Sequence, residues 1–356
     1  MILQRYIFRE LLASFVFAFL AVLVVCMIGT MFQVFRTFPG LGFTILATAL
    51  PLATGAMASW VILVASSTSS TLVYARLAAE NEITAMRACG VHTGRILAPA
   101  LLLGLLLVGA AYPLNEVVVP WTRYSRRRMY RQSTVQALKA PPPGNQDFDV
   151  GPIRLHYTDY LDGRMIQPTI TKTKDFTVVM DYYAPSGKIV TSSNLNDPLK
   201  VVMLKPRYWH LNEKGQREEF SAENEVTVEI PLEDPDNAGP QNQDLPADKL
   251  WDMLFASKDR VSRNQILLIL HTRYASSLAP LLLVLVAVPI GILVRKGSRL
   301  AGLGAALPPL MIYFVTYFVF QGLGDKGKVH PVLAAYAPDL FLAALASLLL
   351  GGVARK

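Results

Sequence analysis

Six long apolar runs constrain this chain more than any other feature of its sequence. A helix needs roughly 20 apolar residues to cross the ~30 Å hydrocarbon core of a bilayer. Charged residues make up only 17% of the 356 residues, because they are nearly absent from these runs. We therefore expect a polytopic α-helical membrane protein with six transmembrane helices. The predicted spans are Leu11–Phe32, Thr44–Thr71, Ile96–Val119, Tyr274–Val294, Leu303–Phe320 and Val332–Val353.

A long polar segment separates the third predicted span from the fourth. Residues 122–262 are polar and rich in turn residues, and in one stretch Val226, Val228 and Ile230 alternate with polar side chains. Such alternation is typical of a half-buried β-strand. We expect an inserted all-β domain of sandwich or jelly-roll type, with transmembrane parts at 1–121 and 263–356. The predicted strands are Arg154–Asp159, Met165–Thr171, Phe176–Tyr183, Lys188–Thr191, Val201–Leu211 and Glu225–Ile230.

The distribution of lysine and arginine among the short loops predicts the orientation. Short segments on the cytoplasmic side of membrane proteins carry an excess of these residues. Six spans place both termini on one side, which we predict to be the cytoplasm, with the β domain in the periplasm. One set of short segments carries Arg5, Arg9, Arg76, Arg87, Arg95, Arg295, Lys296, Arg299, Arg355 and Lys356, and the other only Arg36, Lys326 and Lys328.

The loop between the second and third spans, residues 74–90, is rich in helix-forming residues and ends at Gly90. On one continuous helix, Arg76 and Glu80 pair at i,i+4. Glu82 then lies among small residues, which suits docking into a groove of a partner protein. An amphipathic helix that packs on the membrane or on the spans is equally open. The small residues predicted on the face of Glu82 are Ala75, Ala78, Ala85 and Cys89.

Arginines also concentrate where the third span ends, interleaved with Trp121, Tyr124 and Tyr130. Guanidinium groups bind phosphates bidentately, so contact with lipid phosphates is one hypothesis. A plain interfacial anchor with snorkelling side chains is the other, and nucleic acid is not an expected partner for a cluster beside a membrane span. The arginines are Arg123, Arg126, Arg127, Arg128 and Arg131, of which the first, third and last share i,i+4,i+8 spacing.

Arg273 lies 21 residues before Val294, which is ~31 Å along a helix. We therefore expect it near the outer interface. A functional role and simple snorkelling are both open.

Catalytic and metal-binding motifs are missing from the sequence. The five histidines form no HExxH motif, and no Gly-x-Ser-x-Gly elbow occurs. Gly322, Gly327 and Lys328 fit the G-x-x-x-x-G-K phosphate loop, but Val329 stands where a magnesium-binding Ser or Thr is needed. We predict a protein that is not an enzyme and has no cofactor of its own, so that any ATP is bound by another chain.

Taken together, the sequence resembles the lipopolysaccharide export permeases of the LptF/LptG type over nearly its whole length, and leans towards LptF. The residues that carry the resemblance are Arg5-Tyr6 with Arg9-Glu10, the loop from Ala79 to Gly90 with its Glu80-x-Glu82 pair, Arg273 with Ala279-Pro280 and Val288-Pro289, and Gly327-Lys328 followed by Pro331.

The resemblance implies the membrane part of an ABC transporter in the bacterial inner membrane. Its implied partners are a dimer of LptB-like ATPase subunits that binds ATP, a second, LptG-like permease and an LptC/LptA-like periplasmic bridge, and its implied cargo is lipopolysaccharide. The implied coupling residues are Glu82, Glu80 and Arg87, and the implied lipid contacts are Arg36, Arg123, Arg126, Arg127, Arg131 and Arg273.

Two other functions remain open. A lipid-modifying membrane enzyme would need catalytic polar groups near the interface, and none is evident in the sequence. A membrane-anchored receptor or scaffold would need no cytoplasmic coupling helix.

The orientation can be tested with single cysteines at positions 82, 215 and 296, in a background without Cys26 and Cys89. A membrane-impermeant maleimide should label position 215 in intact spheroplasts, and positions 82 and 296 only after permeabilisation. Labelling of position 296 in intact spheroplasts would contradict the predicted orientation.

Overall fold

The structure is a computed structural model that describes residues 2–37, 43–139, 141, 143–150, 153–174, 177–190, 199–211, 216–230, 241–257, 259–294, 302 and 304–354. Two compact units divide the chain. One comprises Met1–Thr30, Leu50–Tyr124 and Pro240–Lys356, and the other comprises Met31–Ala49 and Ser125–Gly239. The predicted loop positions Gly215, Arg295, Lys296, Arg299, Arg355 and Lys356 lie outside the described residues.

Long apolar helices dominate the first unit. Within the described chain, six are long and apolar enough to cross a membrane, which confirms the six predicted spans. Phe17 and Leu348 are 76% and 75% exposed, as expected for side chains that face lipid rather than water. The helices are α1 (Ile2–Thr37), α2 (Phe43–Ala79), α3 (Glu82–Ala88), α4 (Thr93–Pro113), α5 (Val119–Lys139), α6 (Ala247–Ala256), α7 (Arg260–Leu293), α8 (Leu307–Asp325) and α9 (Pro331–Ala354).

The polar end of the second span is buried in the bundle. Ser66, Ser69 and Thr71 are fully buried. Their hydroxyls donate to backbone carbonyls three or four residues earlier, at distances of 2.9, 3.2 and 2.9 Å. A buried hydroxyl without a partner would cost free energy, so these short bonds within the helix let small polar residues line a tight helix contact.

A glycine allows α7 to approach α2 closely. A Cβ atom added at Gly291 would lie 2.7 Å from the carbonyl oxygen of Thr71 and 3.0 Å from the backbone nitrogen of Ala75. Close backbone approach through small residues is how helices associate in lipid, where burial of apolar surface provides no driving force between helices.

Two antiparallel sheets form the core of the second unit, which confirms the predicted β domain. The six-stranded sheet has the order β1-β2-β5-β6-β9-β10, and the five-stranded sheet has the order β11-β8-β7-β4-β3. The strands are β1 (Gln146–Val150), β2 (Ile153–Tyr157), β3 (Asp159–Leu161), β4 (Arg164–Ile166), β5 (Thr169–Lys174), β6 (Thr177–Tyr183), β7 (Ser186–Val190), β8 (Leu199–Leu204), β9 (Arg207–Leu211), β10 (Arg217–Ser221) and β11 (Val226–Ile230).

Both sheets contribute side chains to one buried core. Leu155 and Tyr157 of β2, Met165 of β4 and Val201 and Met203 of β8 are fully buried in a single hydrophobic cluster. A shared core between two sheets is the defining feature of a sandwich.

Two of the predicted strands are each divided into a pair. Gln167 and Lys205 have left-handed backbones, with φ of 52° and 47°, and each precedes a proline. Proline lacks the N–H that a strand ladder needs, so Met165–Thr171 becomes the end of β4 and β5, and Val201–Leu211 becomes β8 and β9. Strands β1 and β10 were not predicted, and only Asp159 of β3 lay in a predicted strand.

The β unit ends at Gly239, whereas the sequence predicted its end at residue 262. The two boundaries differ because the segment after Gly239, which includes α6, belongs to the first unit. Leu250 and Leu254 of α6 pack with Ile266 and Leu270 of α7 in one hydrophobic cluster.

The close contact at Gly291 gives a matched pair of variants. Gly291→Ala should destabilise the protein by about 1–3 kcal/mol, because the added methyl group overpacks the contact with α2. Gly109→Ala should change stability little, since nothing lies within 4 Å of a Cβ added there. Thermal unfolding of both proteins in detergent is the measurement, and equal midpoints would contradict the close-packing argument.

Candidate functional site

The segment predicted as one helix over 74–90 is broken in two. Helix α2 runs on to Ala79, and α3 begins only at Glu82. Between them Asn81 has φ of 59°, a left-handed conformation that asparagine adopts more readily than most residues. The continuous helical wheel therefore does not apply, and Ala75 and Ala78 are buried in the bundle rather than beside Glu82.

Helix α3 has one buried and one exposed face. Ile83 and Met86 are buried in the same hydrophobic cluster as Ile7 and Leu11 of the first span. Glu82 is half-buried at the edge of the opposite, exposed face. That face is formed by Thr84, Ala85, Ala88 and Cys89. Of the small residues predicted beside Glu82, Ala85 and Cys89 lie on this face, whereas Ala75 and Ala78 do not.

The end of α3 confirms the predicted stop at Gly90. Its φ is 78°, its N–H bonds to the carbonyl of Arg87 at 2.9 Å, and the N–H of Val91 bonds to Met86 at 3.0 Å. This pair of bonds is the Schellman motif.

A charged cluster connects α3 to the first two spans. Arg76 of α2 forms an ion pair with Glu10 of α1, and its Nε lies 3.9 Å from Glu80. Its Nη2 donates to the Tyr6 hydroxyl at 3.2 Å, and that hydroxyl donates weakly to Glu82 Oε1 at 3.5 Å. The predicted Arg76–Glu80 pair is present. The sequence did not lead us to predict that Tyr6 and Glu10 belong to this cluster. Their i,i+4 spacing in a basic segment was the signal that could have indicated it.

The segment that matches a phosphate loop is a helix end. Gly322 lies within α8, and Gly327 has φ of 67° just beyond it. The N–H groups of Gly327 and Lys328 donate to the carbonyls of Gly324 and Leu323, both at 2.9 Å. Because the helix cap uses these amides, they are not available to hold a phosphate.

The arginine cluster lies on α5, which continues the third span through a π-helical turn at Leu114–Val118. Arg123, Arg126 and Arg127 are half-buried. The side chains of Arg36 and Arg131 lie outside the described part of the chain. Their predicted lipid contacts therefore stay predictions.

Arg273 is buried rather than snorkelling, so the snorkelling interpretation is wrong. It is 9% exposed, and it donates through Nη1 to the carbonyl of Leu245 at 2.7 Å and through Nη2 to that of Gln243 at 2.9 Å. Nearby, the Glu116 carboxylate accepts from the backbone N–H of Ala247 at 2.9 Å. These two side chains fasten the segment before α6, and the start of α6, to the third and fourth spans.

Asn115 bridges three spans beside Arg273. Its amide nitrogen donates to Ser277 of α7 at 2.9 Å, and its amide oxygen accepts from Ser59 of α2. Arg273 and Arg123 line one cavity of about 310 Å³ next to this network. Among the predicted lipid contacts whose side chains are described, these two share a cavity, and Arg126 and Arg127 do not line it.

Comparison with known proteins identifies the family of this chain. No curated protein matches the chain. The sequence does match the family described as "Lipopolysaccharide export system permease LptF/LptG", over residues 5–351. This match covers nearly the full length and does not separate the two branches of the family. The chain therefore belongs to the LptF/LptG family of lipopolysaccharide export permeases.

Proposed function

We propose that this chain is the permease subunit of an ABC transporter that extracts lipopolysaccharide from the bacterial inner membrane and passes it to a periplasmic bridge protein. Both termini and α3 lie in the cytoplasm, and the β unit lies in the periplasm. The observation that carries the proposal is α3, an exposed surface of small side chains with a half-buried acid, Glu82, at its edge.

The packing of α3 supports a role in transmitting force. Ile83 and Met86 share a hydrophobic cluster with Ile7 and Leu11, and the Arg76–Glu10 ion pair joins the first two spans beside it. An ATPase subunit docked on α3 would therefore act on those spans when it closes around ATP. A membrane cavity between two permeases would change shape in response and displace the lipid.

The ATP is bound by the partner subunit. In this chain the amides of the segment that resembles a phosphate loop cap α8, which supports nucleotide binding elsewhere. The second permease, LptG-like, completes the cavity, and an LptC/LptA-like protein receives the lipid.

Arginines at the outer end of the third span supply phosphate contacts for the lipid. Helix α5 continues through this region, so Arg123, Arg127 and Arg131 follow one another along one side of it, a spacing of about 6 Å per step. Several guanidinium groups in a row suit a lipid that carries more than one phosphate.

Glu82→Ala should weaken association with the ATPase, or uncouple ATP hydrolysis from lipid release. Removing one partner of a docked, desolvated charge pair costs about 2–5 kcal/mol. The measurements are co-purification of the ATPase and ATP-dependent lipid release from proteoliposomes. Wild-type behaviour of Glu82→Ala in both assays would contradict the assignment.

Glu80→Ala is the matched control. Glu80 is only two residues away and its side chain is 51% exposed, with Arg76 as its neighbour. We expect its replacement to have a smaller effect in both assays. A larger effect at Glu80 would move the docking surface to the charged side of the loop.

Replacing Arg123, Arg127 and Arg131 together with glutamine should reduce photo-crosslinking to the transported lipid and leave assembly intact. Arg128→Gln, which removes a cation from another side of α5, should have less effect. Unchanged crosslinking and export in the triple variant would favour a plain interfacial anchor.

A further inference from the structure

One guanidinium gathers three carboxylates where α3 meets the first and second spans. Arg76 forms an ion pair with Glu10, and its Nε lies 3.9 Å from Glu80. Glu10 is in turn repelled by Glu82 and by Glu80. Because like charges repel at such short range, the guanidinium is the group that allows these carboxylates to lie close together. Any change in the position of Arg76 therefore changes the surroundings of Glu82.

The hydroxyl of Tyr6 lies between this guanidinium and Glu82. It accepts a hydrogen bond from Arg76 Nη2 at 3.2 Å, and it donates to Glu82 Oε1 at 3.5 Å. An arginine can only donate, and a phenolic hydroxyl has a single proton. The bond from Arg76 therefore occupies a lone pair of the Tyr6 oxygen and leaves its proton for the carboxylate of Glu82.

The first span determines where this hydroxyl lies. Tyr6 and Glu10 are four residues apart on α1, so they share one face of that helix, and Arg76 of α2 binds both of them. The side chains of Glu10 and Arg76 are only 19% and 35% exposed. Salt screens a partly buried ion pair less than an exposed one, so Glu10 holds Arg76 against Tyr6.

The contact with Tyr6 uses only one oxygen of Glu82. Within the described part of the chain, the other oxygen, Oε2, accepts no hydrogen bond. Glu82 is half-buried at the edge of the exposed face of α3, where a partner protein can reach it. A side chain that is held in place before a partner arrives loses less conformational freedom on binding. One oxygen thus orients the carboxylate, and the other remains for the partner.

We propose that Tyr6 is a positioning residue for Glu82: its hydroxyl, held by Arg76, presents Oε2 of Glu82 to a cation of the docked ATPase subunit. The inference rests on the proposed function for the identity of the partner. It adds a polar connection between the first span and the coupling acid, beside the apolar packing of Ile7 and Leu11 against α3. A shift of the first span relative to α3 then changes how strongly Glu82 holds the ATPase.

The contact is tested first in the full-length chain without the ATPase. Fluorotyrosine at position 6 keeps the hydroxyl and places a fluorine nucleus beside it, whose magnetic resonance responds to hydrogen bonding. Glu82→Gln should shift this resonance, because a neutral amide is a weaker acceptor than a carboxylate. Arg95→Gln removes an exposed cation near the start of the third span and should leave the resonance unchanged. Equal spectra of Glu82→Gln and the wild type would overturn the inference.

The second measurement is binding of the ATPase subunit to the two permeases in nanodiscs. Tyr6→Phe keeps the ring and removes the hydroxyl, and it should bind the ATPase roughly threefold to tenfold more weakly, the effect of one hydrogen bond to a charged group. Arg76→Gln should weaken binding at least as much, because the carboxylates around it then repel one another. Arg95→Gln should bind as the wild type does. Wild-type binding by Tyr6→Phe would contradict the inference.

A double-mutant cycle separates positioning from a general structural effect. If Tyr6 acts through Glu82, the double variant Tyr6→Phe/Glu82→Ala should bind the ATPase no more weakly than Glu82→Ala alone. Effects that add in full would show that Tyr6 supports the fold in general, and they too would overturn the inference. Thermal midpoints show whether each variant is folded. Should Tyr6→Phe not fold, the fluorotyrosine spectra decide.

Failure of the inference and failure of the proposed function give different results. ATPase binding that depends on Glu82 but not on the Tyr6 hydroxyl contradicts the inference alone. A complete double-mutant cycle without ATP-dependent lipid release contradicts export alone.

Discussion

Hydrocarbon contains no water to satisfy polar groups, so each polar side chain within the bilayer must find its partner inside the protein. Asn115 shows what this requirement does to the bundle. Its amide binds Ser59 of the second span and Ser277 of the fourth, and all three spans are held in register by one side chain. The π-helical turn that contains it widens the helix by one residue. Within this turn Asn115 binds the second and fourth spans, whereas the adjacent Glu116 accepts a hydrogen bond from the backbone N–H of Ala247.

The same requirement explains how the chain returns to the membrane after the β unit. Backbone groups between Gln241 and Ala247 approach the spans and would be costly if left unpaired. Arg273 takes the carbonyls of Gln243 and Leu245, and Glu116 takes the N–H of Ala247. Thus one positive side chain, from the fourth span, binds two backbone carbonyls of this segment, and one negative side chain, from the third span, binds a backbone N–H.

Sequence patterns predicted the spans and the β unit because both depend on composition over many residues. They failed where a single residue decides. Asn81 breaks the helix after Ala79 through its own backbone conformation. The hydrophobic periodicity of the segment does not predict this break. For Arg273 the distance from the end of the span indicated a position near the interface, which left snorkelling open as one of two interpretations. Its carbonyl partners lie about 30 residues earlier in the chain, and only the fold brings them together.

The short length of α3 bears directly on how it can act. Seven residues cannot form a stable helix in water, so α3 owes its structure to Ile83 and Met86 in the cluster with the first span. A displaced α3 would lose that burial unless the residues of this cluster, among them Ile7, Leu11 and Leu77, moved with it. Force applied to its exposed face would therefore reach the first four spans through this shared apolar cluster, and the second span also through Arg76. A longer, self-supporting helix could tilt independently and would transmit less.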